Sequence, residues 1–348
     1  MRRYYTRACN FYYGNESKLL VNKKKSIPLN GNKNISFDQI EIISRVSKRK
    51  ISIKDINSLA KSLKKQIKLD LKKIKSKHKN FSNLNFLKIP NIMGVLNVTP
   101  DSFSAGGQHY DVDIAVRRGK EMLDEGASIV DIGGESTRPG ADFVDRFSEL
   151  NRVSPVVDAL AKLGIISVDT RKADVAREAI SQGAKIFNDV SALSFDPRSL
   201  NVLAESGASV CLMHASGDPQ TMQDNPTYDD VLLDVYDFLM SRVELCLQAG
   251  IDLSKISIDP GIGFGKTIEH NLLLIKGMSL FHGIGCPILL GVSRKRFIGE
   301  IGKAQNTADR LGGSIAVGLE GLRQGVQMLR VHDVRETVQA VRLFEAMA

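Results

Sequence analysis

The chain has 348 residues, of which 43% are hydrophobic and 25% are charged. It can therefore bury a sizeable core, and global disorder is excluded. No run reaches the roughly 18 apolar residues of a membrane span, and the first residues lack the apolar stretch of a secretory signal. The four cysteines lack zinc-site or redox spacing, so we expect buried thiols in a reducing, cytoplasmic setting.

The net charge of +9 is divided unevenly along the chain. Residues 1–90 contain 23 Lys and Arg against 5 Asp and Glu, whereas residues 91–348 contain 25 against 34. The basic character therefore belongs to the first 90 residues. We interpret them as a small basic α+β extension that precedes a separate, mildly acidic domain.

The extension has strand-like runs at Tyr4–Tyr13 and Ile35–Ile43. Ser52 and Asp55 have the spacing of a capping box, and the apolar stripe that follows predicts a helix. Residues 78–91 are predicted to be a linker. The stripe consists of Ile56, Leu59, Leu63, Ile67, Leu71 and Ile74, and between these residues lie Lys54, Lys61, Lys64, Lys65, Lys68, Lys72, Lys73, Lys75, Lys77 and Lys79.

A lysine face of this kind could contact RNA, an anionic membrane or an acidic partner, or it could simply be a solvated surface. No aromatic residues are interleaved with the lysines, which argues against stacking on nucleic-acid bases. We therefore expect neither a nucleic-acid nor a membrane partner.

From Ile92 onward, apolar strand runs alternate regularly with amphipathic helical patterns. Eight near-equal units over residues 91–348 predict a (β/α)8 TIM barrel. An open doubly wound sheet would alternate in the same way, but eight units without a second domain favour closure. The strand runs lie at 92–98, 129–135, 165–170, 186–191, 209–214, 256–261, 288–293 and 328–333.

Active sites of such barrels lie at the carboxyl ends of the strands. Each predicted end carries polar or ionisable residues, some of which, such as Ser136 and Asp189, could instead cap helices. Cations suit a phosphate group, and the carboxylates and amide suit a flat nitrogen heterocycle. The ends contribute Asn97, Glu135–Arg138, Asp169–Arg171, Asn188, Asp189, His214, Asp259–Gly261, Ser293–Lys295 and Arg330–His332.

Three other motifs are excluded. A Walker A loop ending in Lys266 and Thr267 would need a glycine where Pro260 stands. The first barrel strand ends in Asn97-Val98-Thr99 rather than in the His-x-His of many metal hydrolases. A GxGxxG after that strand, typical of dinucleotide binding, is also absent.

The ordered motifs of residues 91–348 resemble those of the dihydropteroate synthase family. This resemblance implies a transferase that joins 4-aminobenzoate to 6-hydroxymethyl-7,8-dihydropterin diphosphate with Mg²⁺, and a homodimer formed through residues 307–347. It is carried by Met93–Ser104, Asp131–Gly140, Ser167–Thr170, Asn188–Ser191, Leu212–His214, Asp259–Lys266, Ser293–Lys295 and Arg330–Asp333.

The resemblance also implies roles for individual residues. The pterin would be held by Asp169, Asn188, Asp259 and Lys295 and lined by Met213, Gly263 and Phe264. The diphosphate would be held by Thr137, Arg138, Arg330 and His332, the 4-aminobenzoate by Phe103, Thr137 and Arg294, and magnesium by Asn97. The catalytic set would be Asp169, Asp259, Lys295, Arg330 and His332, with the Pro100–Gly107 and Gly133–Gly140 loops closing over the aminobenzoate.

Two alternatives remain at this point. A pterin-binding module of a corrinoid methyl-transfer system would share the barrel and the carboxylates but would have no diphosphate to neutralise. An inactive paralogue would keep the fold alone. Ala105 and Ser216 depart from the residues usual in the family, and we interpret both as tuning loop closure. His214 is expected either to contact the pterin or only to pack beneath it, and Lys266 is expected to form a salt bridge in its loop.

Overall fold

The computed structural model describes residues 3–78, 81–86, 90–99, 108–136, 138, 140–218 and 220–347. Its first part is an antiparallel sheet in which the third strand pairs with the other three. The elements of this part are β1 (Tyr5–Tyr13), α1 (Gly14–Asn22), β2 (Ile27–Leu29), β3 (Asn32–Ile43), β4 (Lys48–Ser52) and α2 (Lys61–Lys75). Both predicted strands of the extension are confirmed.

Helix α2 lies on this sheet. Its apolar face, which includes Ile67 and Ile74, packs with Phe37 and Ile40 of β3. Asp70 is the only acidic residue in the helix, and it is buried and accepts a hydrogen bond of 2.7 Å from Thr6 Oγ1. The remaining charges of α2 are therefore all lysines.

The start of the predicted helix differs from the sequence prediction. Ser52 caps a short 3₁₀ segment, Ile53–Ser58, through the amide of Lys54, and α2 begins only at Lys61. A 3₁₀ turn closes its hydrogen bonds one residue earlier than an α-helix, and Ser52 accordingly caps it through the amide two residues on rather than through Asp55 as a capping box would.

The second part is an eight-stranded parallel barrel, and the predicted fold is confirmed. The strands are β5 (Asn91–Asn97), β6 (Ile129–Gly133), β7 (Ile165–Asp169), β8 (Ile186–Asp189), β9 (Ser209–Met213), β10 (Ile256–Asp259), β11 (Leu289–Leu290) and β12 (Met328–Val331). Each observed strand overlaps its predicted run. The strand order is β10-β9-β8-β7-β6-β5-β12-β11, and a parallel bridge between Ile258 and Ile288 joins the two ends.

Helices surround the barrel and cover the strands with their apolar faces. Asp145 and Asp230 cap α4 and α7 through backbone amides, and Thr267 with His270 forms the capping box of α8. The helices are α3 (Gln108–Asp124), α4 (Arg146–Leu160), α5 (Ala173–Ser181), α6 (Ser199–Ser206), α7 (Val231–Gln248), α8 (Ile268–Lys276), α9 (Arg296–Gly302), α10 (Leu311–Arg323) and α11 (Val334–Met347).

The extension docks against the outer wall of the barrel. The Tyr5 hydroxyl lies 2.7 Å from a carboxylate oxygen of Asp237, and its ring packs edge-on against Tyr236 with centroids 5.3 Å apart. Ser279 Oγ donates to the Ala8 carbonyl at 2.9 Å. These contacts tie β1 to α7 and to the segment that follows α8.

The segment predicted as a linker contributes to the core. Phe81 and Leu84 are buried in one cluster with residues near the amino ends of the barrel strands. They therefore close the end of the barrel opposite the predicted site. The strand residues of this cluster are Met93, Ile129, Ile186, Cys211, Leu289 and Met328.

The predicted burial of the thiols is confirmed, because Cys9, Cys211, Cys246 and Cys286 are all free and buried. Among the helices that the structure describes, none combines the length and apolarity needed to cross a membrane.

Candidate functional site

A cavity of about 590 Å³ opens at the carboxyl ends of the barrel strands. Phe103 and Thr137 lie outside the described residues, as does the whole Pro100–Gly107 loop with Ala105. All the other residues predicted for the site line the cavity. They are Asn97, Arg138, Asp169, Asn188, Met213, Asp259, Gly263, Phe264, Arg294, Lys295, Arg330 and His332.

Arg330 of β12 is held between two buried carboxylates. Its Nε donates to Asp131 Oδ2 and its Nη2 to Asp169 Oδ2, both at 2.6 Å. Asn188 Nδ2 donates to the same oxygen of Asp131 at 3.0 Å. Three residues predicted for two different ligands thus share one hydrogen-bonded network.

The protonation of Asp169 reflects this setting. Burial raises its pKa to about 7, although the Arg330 charge acts in the opposite direction, and the charge of Asp131 adds to the rise. Asp169 can therefore accept hydrogen bonds as a carboxylate or donate one as an acid near neutral pH.

Asp131 was missed by sequence reasoning. It lies inside the apolar run of β6 rather than at the strand end, and it is fully buried. The available signal was the charge itself, because an acid within a buried parallel strand needs a cationic or hydrogen-bonding partner.

A second group forms another part of the cavity wall. Asp259 Oδ1 accepts from the Gly261 amide at 2.7 Å, and burial raises the pKa of Asp259. Lys295 Nζ lies 3.9 Å from the centroid of the Phe264 ring. Burial and the nearby Arg330 lower the pKa of Lys295 to about 7. This wall therefore offers an acceptor, a partly charged donor and an aromatic face to a flat ligand.

With the acidic residues that the structure describes, Lys266 does not form the salt bridge that was expected. Its ammonium group lies 2.9 Å from His214 Nδ1, 2.9 Å from the Phe264 carbonyl and 3.2 Å from the His214 carbonyl. Burial and Lys266 lower the pKa of His214 to about 2, so the imidazole is neutral and accepts at Nδ1. Lys266 thus ties the end of β9 to the loop that carries Phe264.

His332 and Arg294 also line the cavity. His332 Nδ1 is 3.0 Å from Ser293 Oγ, and burial, with the charge of Arg330, lowers its pKa to about 3. Arg294 donates from Nε to Asp333 Oδ2 at 3.0 Å and from Nη2 to the second carboxylate oxygen. His332 is therefore neutral at physiological pH, and Arg294 already has a counter-charge.

Asp189, whose role was left open, ties its own loop. It accepts from the backbone amides of Ser191 and Leu193 and from the Ser191 hydroxyl. Its side chain therefore shapes the loop after β8 rather than facing the ligand.

Asn97 is the only protein ligand predicted for magnesium. It is half-buried at the end of β5 and lines the cavity. Among the described residues, no group of three or more His, Cys, Asp or Glu could hold a metal ion. One amide oxygen in a cavity that arginines also line suits Mg²⁺, which commonly takes one or two protein ligands and completes its shell with water and substrate phosphates. The donor set thus fits a magnesium ion held jointly with a substrate.

Comparison with known proteins identifies the class. Residues 93–332 match the family model described as "Pterin binding enzyme". The chain is 47% identical over 262 residues to the dihydropteroate synthase of Escherichia coli K12, covering 75% of this chain and 92% of that protein.

Two solved structures of Xanthomonas albilineans dihydropteroate synthase are also similar. The one with 4-aminobenzoic acid has a TM-score of 0.72 and 43% identity, covering 76% of this chain and 94% of the other. The one in complex with 7,8-dihydropteroate has a TM-score of 0.69 and 39% identity, covering 77% and 97%. The present chain belongs to the dihydropteroate synthase family, and it is a transferase of folate biosynthesis.

Proposed function

We propose that the cavity joins 4-aminobenzoate to 6-hydroxymethyl-7,8-dihydropterin diphosphate, forming 7,8-dihydropteroate and releasing diphosphate. The main support is that a single cavity wall carries both buried acceptors and cations. Buried acceptors, Asp169 and Asp259, lie deep in it, and the cations Arg138, Lys295 and Arg330 also line it. The related Xanthomonas structures, which hold 4-aminobenzoic acid and 7,8-dihydropteroate, support the same pair of ligands.

The pterin would occupy the deep part of the cavity. Asp259 and Asn188 would bond its nitrogen-bearing edge, and Phe264 would cover one face of the ring. Lys295, which lies over Phe264, would donate to a ring heteroatom. Carboxylate and amide groups that are already buried need no further desolvation, so they favour a ligand that supplies their missing partners.

The diphosphate would lie toward the mouth, against Arg330, Arg138 and His332. Because Asp131 and Asp169 already bind Nε and Nη2 of Arg330, its remaining N–H groups are oriented before substrate arrives. Mg²⁺, if held by Asn97 and the diphosphate, would supply positive charge that stabilises the leaving group. Neutral His332 would donate a hydrogen bond to phosphate rather than a charge.

In the reaction, the C–O bond to diphosphate breaks and the bond from the arylamine nitrogen to the same carbon forms, and one amine proton is lost. We expect substantial C–O cleavage before attack, with the carboxylate of Asp259 stabilising positive character on the pterin. The arylamine is already nucleophilic, so a strong general base is unnecessary. Closure of the Gly133–Gly140 loop and of the loop after β5 would exclude water from the electrophile.

The first experiment measures diphosphate release by the purified chain. We expect release that requires Mg²⁺ and 4-aminobenzoate, with dihydropteroate as the second product. A chain that binds the pterin but releases no diphosphate under any of these conditions would instead favour the corrinoid-linked binding module. A small oxygen-isotope effect at the bridging oxygen would contradict early C–O cleavage.

We also propose that the chain forms a homodimer through residues 307–347. Leu343 and Met347 of α11 are 60% and 79% exposed, and such apolar side chains are favoured at interfaces. Light scattering should give twice the chain mass, and Leu343→Glu should shift the population toward monomer. A wild-type chain that stays monomeric at high concentration would refute the dimer.

A further inference from the structure

The loop between β6 and α4 is closed at its base by the buried side chain of Glu135. Residues 135, 136 and 138 of this loop line the cavity. Glu135 accepts a hydrogen bond from the Val144 amide at 3.0 Å and so joins the two ends of the loop. Gly134 is fixed against α4, because a Cβ there would lie 2.7 Å from Val153 Cγ2, and its carbonyl accepts from Arg152 at 2.8 Å. The base of the loop is thus fastened on both sides.

Lys172 supplies the positive charge that balances Glu135 at the base of this loop. It follows the end of β7 by three residues, and its side chain is 8% exposed. Its Nζ donates to Glu135 Oε2 at 2.9 Å and to Glu149 Oε2 at 2.6 Å. Arg171 also reaches Glu135, at 3.3 Å. Two acidic and two basic side chains therefore balance in a buried cluster, of which the sequence analysis named only Glu135 and Arg171, as residues at strand ends.

The pKa values of the two carboxyl groups in this cluster are shifted in opposite directions. Burial alone would raise the pKa of Glu135, but the Val144 amide, Lys172 and Arg171 together hold it below its ordinary value. Burial raises the pKa of Glu149, although Lys172 opposes the rise. Glu135 is therefore ionised, and its negative charge is stabilised in part by Lys172. Glu149 is the carboxyl group of the cluster that is more easily protonated.

We propose that Lys172 is a positioning residue for the transfer reaction, because it couples the Asp169 end of β7 to the base of the loop that closes over 4-aminobenzoate. This inference rests on the proposed function. Lys172 is not among the residues that line the cavity, so it contacts neither proposed substrate. Its removal would leave Glu135 and Glu149 buried with only Arg171 as a cation, and the Glu135–Val144 bond would weaken.

The test compares Lys172→Met with Lys162→Met, which makes the same change at an exposed lysine after α4. For Lys172→Met we expect a higher KM for 4-aminobenzoate and a loss in kcat/KM on the order of 10²-fold, as for a displacement near 1 Å. Pterin binding should persist, because Asp169 is held by Arg330. Hydrogen exchange of the peptide carrying the Val144 amide should accelerate in this variant and not in the control.

A second variant separates positioning from folding. Lys172→Met with Glu149→Gln removes one cation and one anion together, so Glu135 keeps Arg171 and its charge balance. We expect this double variant to recover slow Val144 exchange and most of the KM. The inference is overturned if Lys172→Met matches Lys162→Met in KM and exchange, or if the double variant is worse than the single one. Failure of the wild-type chain to form dihydropteroate would refute the proposed function, whereas the exchange data would still decide the role of Lys172.

Discussion

Gly261 lies where the end of β9 and the loop after β10 approach most closely. Its φ is +69°, and an ideal Cβ built on it would lie 1.8 Å from the carbonyl oxygen of His214. Carbon and oxygen atoms normally remain about 3.3 Å apart. Alanine at this position would therefore push the two segments apart by about 1.5 Å, and it would disturb the bond from the Gly261 amide to Asp259.

The cost of Gly261→Ala has two parts. An L-residue in the left-handed region costs about 1–2 kcal/mol, and overpacking against fixed backbone adds about 1–3 kcal/mol. Gly207→Ala is the matched control, because Gly207 has a φ of +63° and nothing lies within 4 Å of its Cβ position. Gly207→Ala should therefore lose only the free energy that comes from placing alanine in the left-handed region.

Equilibrium unfolding in urea should give Gly261→Ala a lower free energy of unfolding than Gly207→Ala by about 1–3 kcal/mol. Its kcat/KM should fall on the order of 10²-fold, because the Asp259 carboxylate moves with the loop. The control should keep wild-type kinetics. Equal stability and equal activity of the two variants would show that the backbone at Gly261 adapts without displacing Asp259, and the reasoning would fail.

Three further outcomes are expected. Burial lowers the pKa of Lys266 from 10.5 to about 7, so between these pH values the unfolded chain binds more protons than the folded chain. The free energy of unfolding should therefore rise with pH in this range, and Lys266→Met should reduce that slope by up to about 1.4 kcal/mol per pH unit. An unchanged slope in urea unfolding measured across this pH range would contradict the prediction. Arg330→Met should cost about 3–5 kcal/mol of unfolding free energy, because two buried carboxylates lose their cation. This loss should shrink as the pH falls and Asp169 becomes protonated. A loss that does not depend on pH, or an equal loss in the exposed control Arg177→Met, would refute the prediction. Tyr5→Phe should cost about 1 kcal/mol through its bond to Asp237 without changing KM or kcat, and altered kinetics would show that docking of the extension reaches the site.

The barrel was predictable because buried parallel strands are continuous apolar runs with polar ends. The strand ending at Asp169 shows this pattern, and its carboxylate faces the cavity as expected. The run 288–293 was less informative, since only Leu289–Leu290 forms a ladder. An apolar run indicates that a segment is buried, but it does not predict how many of its residues pair with a neighbouring strand.

The partners of charged residues were not predictable. Asp131 and Arg330 are 199 residues apart, and their pairing exists only because β6 and β12 lie on opposite sides of β5. Lys266 illustrates the same limit, because its partners are carbonyls and an imidazole rather than an acid. A sequence shows which groups need a counterpart, whereas the closed barrel determines which one they receive.

The burial of Phe81 and Leu84 has a practical consequence for truncation. The family match begins at residue 93, so trimming the chain to that boundary would look harmless. A shortened chain starting at Asn91 would instead uncover the amino-terminal end of the barrel and expose to solvent the side chains packed there, Met93 and Met328 among them. Such a chain would be prone to self-association, and its poor behaviour would say nothing about the chemistry at the other end of the barrel. The segment of residues 81–86 therefore belongs to the core of the barrel domain rather than to a linker.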